Sequence, residues 1–339
     1  MLSQLSSYPI PRLEQIFKNF APIDILTVTG AATASYFAWR ILRFIHLYFL
    51  RPSGLYRYRA VTSPQGEAPW AFITGSSDGI GKALAAELAS HGFNIIVHGQ
   101  TPSKIAKVAS DLENTYKVKT RTLSLNACDY SLTIDDAVNA ALGDIKPTIL
   151  INNVGGIGAA AKRVYDPLVE RSSEEIDQIF SLNGRFMTQM MRIIIPRMTE
   201  PGVVINVSSS SSFGLPWVQL YSGAKGYVNS LSIALNTEMY ATGRDIQVMA
   251  VTPGSVAGTP GFVYATGPFI PDTRTISKAI LNRIGCGRPV LSPHWFQAIQ
   301  ELVFKYTPPT LYKKLTANIL RDMKAIEDKD LAQRAEKHD

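Results

Sequence analysis

Cysteine is nearly missing. Cys128 and Cys286 are the two in 339 residues, they stand far apart in sequence, and neither belongs to a metal-type spacing. A disulfide framework is thereby excluded, and a reducing compartment is expected. Histidine is also scarce, five in all and none at ligand spacing from a second His or Cys, so no metal site is expected. Charge is thin at 18% of residues, and the net +7 comes from scattered Lys and Arg rather than from a cluster. Nucleic acid therefore has no footprint here, whereas an acidic small ligand or an anionic membrane surface suits the balance. Residues 1 to 20 lack the basic start and small-residue cleavage site of a secretory signal. What is abundant is apolar residues, 46%, which can fill the core of one large domain or two smaller ones.

Near the N-terminus no charge appears in the stretch from Ile25 to Trp39. Arg40 and Arg43 interrupt it, and Phe44 to Leu50 resume it before Arg51, Arg57 and Arg59. A spanning helix needs roughly 20 apolar residues, so this one spans only if the arginines snorkel; otherwise it lies in the interface. The flanking Tyr36, Phe37, Trp39, Phe44, Tyr48 and Phe49 suit the headgroup level and favour membrane attachment over a soluble amphipathic helix. Composition divides the chain into an N-terminal segment with this hydrophobic anchor (1–60), a Pro- and Gly-bearing linker (61–69), a catalytic domain (70–290) and a C-terminal helical extension (291–339).

From Trp70 strands and helices alternate. Trp70 to Ile73 is a short apolar strand, Thr74-Gly75-Ser76-Ser77-Asp78-Gly79-Ile80-Gly81 a glycine-rich turn, and Lys82 to Ala89 a helix. That is the setting a dinucleotide requires, with glycines admitting the pyrophosphate and a helix N-terminus offering free N–H groups. Strand 94–97, helix 103–116, strand 119–125, a helix near 134–142 and strand 148–151 follow, which predicts a doubly wound parallel sheet. No acid stands between Glu87 and Asp111, where a carboxylate would select NAD. Gln100 and Ser103 can instead hydrogen-bond a 2′-phosphate and Lys104 or Lys82 neutralise it, which favours NADPH.

The fourth strand ends in Asn152-Asn153-Val154-Gly155-Gly156, small residues that admit a ligand at the carboxyl edge. A helix from Glu174 to about Ile195 carries Asn183 inside its apolar stripe; by itself the buried amide reads as structural. Strand 203–207 runs into five serines, Ser208 to Ser212, about a dozen residues before Tyr221-Ser-Gly-Ala-Lys225. On a helix, Tyr221 and Lys225 share a face, and an ammonium beside a phenol lowers its pKa towards working pH. After strand 246–251 comes a Gly- and Pro-rich loop to about Pro271, suited to a lid. The stretch Trp295 to Pro309 either closes a pocket or rests on a membrane, and Arg321 to Asp339 is expected as a solvated helix or tail.

Taken in order, Thr74-Gly75 with Gly79-Ile80-Gly81, Asn152-Asn153-Val154-Gly155, Asn183, the serines after Asn206-Val207, Tyr221 with Lys225, and Pro253-Gly254 resemble the short-chain dehydrogenase/reductase family over roughly residues 68 to 290. Within it the chain looks like the membrane-anchored branch of very-long-chain 3-oxoacyl-CoA reductases and 17β-hydroxysteroid dehydrogenases, on its apolar N-terminal segment, its Ser-Asp-Gly-Ile-Gly turn and its C-terminal extension with Gly287 and His294-Trp295. The resemblance implies a Rossmann-type α/β fold and an NADP-dependent oxidoreductase. Tyr221 would be the general acid, Lys225 would lower the Tyr221 pKa and hold the nicotinamide ribose, Asn183 would anchor a relay water, and Ser209, chosen over Ser208 and Ser210, would polarise the carbonyl. Gly75, Ser77, Asp78, Gly79 and Ile80 would line the pyrophosphate, Gln100 and Asn153 the adenosine side, and Pro253 and Val256 the nicotinamide. Val154 and Asn126 depart from the family's usual alanine and aspartate. The implied substrate is a long-chain acyl-CoA of fatty-acid elongation or a 17-ketosteroid, at the cytosolic face of the endoplasmic reticulum membrane. A lipid alcohol dehydrogenase and a silent binding member are the competing readings. Family members often pair through the Asn183 and Tyr221 helices as homodimers, which a membrane-bound branch need not do.

Overall fold

A computed structural model describes residues 22–61, 66–131, 133–259 and 265–336. The expectations for residues 1 to 20 and for the middle of the lid loop, 260–264, lie outside the described residues. The chain divides into two compact units, residues 1–51 and 52–339.

The first unit holds helix α1 (Pro22–Ile45), continued by a π-helical turn at His46–Leu50. Along α1 the side chains of Ile25, Leu26, Val28, Phe37, Trp39 and Leu42 are exposed. Its two arginines each stack on an aromatic ring one turn earlier, Arg43 over Trp39 at 4.7 Å and Arg40 over Tyr36 at 5.7 Å. No described helix is long and apolar enough to cross a membrane.

In the second unit a short helix α2 (Tyr56–Arg59) precedes β1 (Trp70–Ile73), α3 (Gly79–Ser90), β2 (Asn94–Gly99), α4 (Pro102–Tyr116), β3 (Thr120–Ser124), α5 (Asp135–Leu142) and β4 (Ile149–Asn152). Then come α6 (Ser173–Phe180), a π-helical turn at Ser181–Arg185, α7 (Phe186–Ile194), β5 (Gly202–Val207), α8 (Gln219–Ala241), β6 (Ile246–Val251), α9 (Thr273–Asn282), β7 (Val290–Leu291), α10 (Trp295–Tyr306) and α11 (Pro309–Ala335). The strands form one parallel sheet in the order β3-β2-β1-β4-β5-β6-β7. Every residue of β1, β2, β4 and β5 is buried, so the middle of the sheet is covered on both faces, as parallel pairing requires. Strand order reverses between β1 and β4, and the crevice at their carboxyl ends is where such sheets bind ligands.

Three elements differ from the sequence expectation. The two residues of β7 are too few to show a period, and only pairing with Ala250 and Val251 defines them as a strand. The single helix expected over 174–195 is broken by the π turn that contains Asn183. The C-terminal stretch is helical as far as Ala335, but it is tethered rather than a solvated tail. Glu327 accepts hydrogen bonds from the Val164 and Tyr165 backbone at 2.7 and 3.0 Å, Arg163 pairs with Asp328, and Leu320 is buried. Charged residues on α11 thus serve as fasteners to a loop more than 150 residues away in sequence.

Candidate active site

The glycine-rich turn is built by β1 running into α3. Gly75 and Gly79 adopt φ of +62° and +56°, the left-handed region where a side chain is strained. Gly81 admits nothing larger than hydrogen: a Cβ there would lie 2.2 Å from the Gly75 carbonyl oxygen and 2.4 Å from Asn153 Nδ2. Asn153 clamps the turn to β4. Its side-chain amide donates to the Thr74 and Gly75 carbonyls, both at 3.1 Å, while its backbone N–H donates to Thr74 Oγ1 at 2.9 Å. The Asn153 amide therefore shapes the turn. Asp78 caps α3, its carboxylate accepting from the Gly79 N–H at 2.7 Å. A turn this tight at a helix N-terminus is a cradle that fits a dinucleotide pyrophosphate.

Beneath the turn lies a residue that sequence reasoning passed over. His98, at the end of β2, accepts from the Gly75 N–H at Nδ1 at 3.0 Å. Burial pulls its pKa down to about 4, so the imidazole is neutral and can act as that acceptor at physiological pH. The Leu125 backbone opposes the shift slightly, although Nε2 has no partner in hydrogen-bond geometry. Beyond it, Gly99 closes against Ser77, whose Oγ would stand 2.9 Å from a Cβ there, and Gln100, Lys82 and Lys104 are exposed.

At the end of β4 the chain is held by Asn183. Its Nδ2 donates to the Gly156 carbonyl at 2.7 Å and to the Ile179 carbonyl at 2.9 Å, and its Oδ1 accepts from the Gly156 N–H at 2.9 Å. Within the π turn this amide caps the Ile179 carbonyl of its own helix and at the same time grips the glycine loop. Gly155 packs so closely that a Cβ there would lie 2.8 Å from Lys225 Nζ and 3.0 Å from Asn183 Oδ1.

At the end of β5 the structure separates the five serines. Ser208 is buried and donates to the Lys225 carbonyl at 3.0 Å. Ser209 Oγ accepts from the Ser211 N–H at 3.1 Å and lies 3.0 Å from Ser211 Oγ, and its side chain hydrogen-bonds the Tyr221 phenol. Ser210 is tied through its N–H to the Pro253 carbonyl, and Ser212 accepts from Asn229. Of Ser208, Ser209 and Ser210, Ser209 is the one placed against Tyr221.

Tyr221 and Lys225 share one face of α8, with Nζ 5.4 Å from the ring centroid. Lys225 is 3% exposed, and its ammonium donates to the Val207 carbonyl at 2.9 Å. Burial pulls the Lys225 pKa down to about 8. The expected lowering of the phenol is not what the structure shows. Burial raises the Tyr221 pKa, and the Ser209 hydrogen bond only partly offsets it, because desolvating a phenolate costs more than that bond returns.

The loop after β6 is pinned from α10. Gln297, 3% exposed, accepts from the Gly254 N–H at 3.0 Å and donates to the Ser255 carbonyl at 2.9 Å and the Phe269 carbonyl at 3.3 Å. It thereby fixes the backbone between Pro253 and the buried Val256. Its one sequence signal is an amide set among Trp295, Phe296 and Ala298, since a polar group on an apolar helix face needs partners. In the described part of the expected lid, Gly267 and Ile270 exchange backbone hydrogen bonds in a tight turn.

The profile of the short chain dehydrogenase family matches residues 69–265. A very-long-chain 3-oxoacyl-CoA reductase of Homo sapiens is 28% identical over 299 residues, covering 87% of this chain and 93% of its own. The very-long-chain 3-oxoacyl-CoA reductase-B of Danio rerio is 30% identical over 270 residues, 77% of this chain and 83% of its own. Among solved structures, one of a 7beta-hydroxysteroid dehydrogenase superposes with a TM-score of 0.64 at 18% identity, covering 76% of this chain and 100% of its own. A short-chain dehydrogenase from Sphingobium yanoikuyae in complex with NADPH superposes with a TM-score of 0.56 at 23% identity, covering 75% and 95%. At such identities the solved structures attest the shared fold alone.

Proposed function

The chain belongs to the short-chain dehydrogenase family of nicotinamide-dependent oxidoreductases, and from that premise we propose that it is an NADPH-dependent reductase of a bulky lipid ketone, a long-chain 3-oxoacyl-CoA foremost and a 17-ketosteroid next. The observation that carries this reading is the junction of Ser209, Tyr221 and Lys225 beside the glycine-rich turn. The thioester substrate is favoured by the names of the full-length relatives. NADPH is favoured by the absence of any acid between Glu87 and Asp111, with Gln100, Lys82 and Lys104 exposed near the end of β2.

A bound nicotinamide supplies the hydride. Gly75, Ser77, Asp78, Gly79 and Ile80 would form its pyrophosphate turn, braced by the Asn153 amide, Gln100 would flank the adenosine end, and Pro253 and Val256 would face the nicotinamide. Ser209 donates to the ketone oxygen. Tyr221, held protonated by burial, gives that oxygen its proton as negative charge develops on it. Lys225 keeps a positive charge beneath the phenol and steadies the resulting phenolate. Asn183 positions the Gly155–Gly156 loop under Lys225.

Residues 1–60 would attach the enzyme to the cytosolic face of the endoplasmic reticulum membrane, 61–69 link, 70–290 catalyse and 291–339 extend the substrate side. For α1 the interfacial orientation is favoured over spanning, by its exposed apolar side chains and by arginines folded back over aromatic rings.

The test is NADPH and NADH oxidation by the full chain against a long-chain 3-oxoacyl-CoA, a 17-ketosteroid and a short ketone. Turnover of the thioester with NADPH well above the other pairs supports the reading; preference for the short ketone, or for NADH, refutes it. The same assay has an expected pH profile. Since kcat/KM reports groups of the free enzyme, it should be flat below Lys225's value of about 8 and fall as the ammonium is lost above it. For stability the sign is opposite. Lys225 titrates lower in the folded chain than its ordinary 10.5, so the unfolded chain holds more protons between these values and this group's contribution becomes more favourable as pH rises from about 8. Urea midpoints across that window check it.

A further inference from the structure

Beside the reacting groups lies a cleft of about 590 Å³ between the loop after Ser209 and the two C-terminal helices, lined in part by Phe213, Pro216, Phe304 and Tyr312. Neither Ser209 nor Tyr221 lines it, so it is an annex to the reacting centre. The two are joined by one short stretch of chain. Phe213 ends the turn that Ser209 caps, and at about 3.5 Å per residue it stands at most roughly 14 Å along the chain from Ser209.

The cleft is built rather than incidental. Tyr312 of α11 donates to the Gly214 carbonyl at 3.2 Å, the Leu215 N–H donates to Ser222 Oγ at 3.2 Å, and the Asp166 N–H donates to the Trp217 carbonyl at 3.1 Å. Trp217 is held at φ of +59°, a conformation a bulky residue keeps only where its surroundings impose it. Glu327 fastens the far end of α11 to Val164 and Tyr165, so the helix that walls the cleft is anchored at both ends.

The lining is apolar, and Phe213 leaves 49% of its surface exposed there. Its ionisable members other than Tyr312 are Lys305 and Lys313, both exposed, and no carboxylate lines it. Aliphatic lysine stems extend an apolar wall while their heads stay in water. An apolar trough with cationic edges complements an anionic amphiphile and rejects a cationic one.

We propose that this cleft takes the hydrocarbon chain of the substrate, a long acyl chain carried on an anionic thioester, and so sets a preference for long over short chains. The inference rests on the reductase reading above and deepens it.

The test uses the full chain and two variants. Ala317→Trp fills the cleft from α11, and Phe213→Ser removes a half-exposed wall at little risk to folding. Two readouts are taken: kcat/KM with NADPH for a long-chain 3-oxoacyl-CoA and for 3-oxobutanoyl-CoA, and the Kd of a fluorescent polyene fatty acyl-CoA. Ala317→Trp should lower kcat/KM for the long chain about tenfold, leave the short chain unchanged and weaken the probe by a similar factor, as loss of a few methylene contacts does. Phe213→Ser should act in the same direction by about threefold. Equal losses on both substrates, or unaltered probe affinity in both variants, would overturn the proposal, as would competition for the probe by a 17-ketosteroid and not by a long-chain thioester. If the unmodified chain reduces neither thioester, the thioester-reductase reading fails, and the probe titration alone then decides the cleft: weakened binding in Ala317→Trp sustains it, unchanged binding ends it.

Discussion

Tyr221→Phe should abolish most turnover while leaving the protein folded and able to bind cofactor. Loss of a positioned general acid costs about 10²- to 10⁴-fold, and phenylalanine removes the one proton that Ser209 and Lys225 are arranged around. The ring itself keeps its packing. Ser209 retains a partner in Ser211, so no hydroxyl is orphaned by the change. The measurement is NADPH oxidation with saturating ketone, alongside cofactor Kd by fluorescence and Tm. A fall in kcat with both controls unchanged assigns proton donation to the phenol. Turnover within tenfold of the unmodified chain would remove Tyr221 from the chemistry.

Gly81→Ala should be the most damaging single methyl group in the cofactor turn. Its Cβ would stand 2.2 Å from the Gly75 carbonyl oxygen and 2.4 Å from Asn153 Nδ2, and these two atoms are hydrogen-bonded to each other, so the methyl must break that clamp to fit. Overpacking of this kind costs about 1–3 kcal/mol. In a domain of this size that corresponds to a Tm lower by several degrees, at about 2–4 °C per kcal/mol. The turn must open to admit the methyl, so NADPH affinity should also fall by more than tenfold. Gly158→Ala is the control, since a Cβ at Gly158 meets nothing within 4 Å. Thermal scans with and without NADPH separate the two effects. Equal Tm and Kd for both variants would show that the turn yields freely and the clamp does not matter.

The pH expectation follows from burial rather than from the Tyr-x-x-x-Lys spacing. Sequence places an ammonium near a phenol, and that arrangement by itself lowers the phenol. In the folded chain both groups have been taken out of water, and desolvation moves each towards its neutral form, the phenol up and the ammonium down to about 8. Both therefore hold their protons at neutral pH, the state that reduction of a ketone requires. The same logic explains His98. Its sequence position says nothing of its charge, and only its enclosure under Gly75 makes it a neutral acceptor.

By itself the sequence determined the order of the elements. Alternating apolar runs and helical stripes are local patterns with periods of 2 and 3.6, and they sufficed to place β1 to β6, the glycine-rich turn and the helix that sets Tyr221 four residues from Lys225. Tertiary structure decided whatever depends on which distant residues meet. Composition does not distinguish five consecutive serines and the family resemblance points to Ser209; the fold sets that one against Tyr221 while Ser208 turns to the Lys225 carbonyl and Ser212 to Asn229. Asn183 lies within a continuous helical pattern, yet the pull of the Gly155–Gly156 loop turns that helix into a π turn around it. Gln297 is one amide on an apolar helix until the loop after β6 folds onto it. The charged C-terminal stretch has the composition of a solvated tail, and its fasteners, Glu327 and Asp328, find their partners at Arg163 to Tyr165 only when the chain has closed on itself. Local periodicity is written into neighbouring residues, whereas hydrogen bonds, burial and the pKa shifts they cause belong to pairs that only folding brings together.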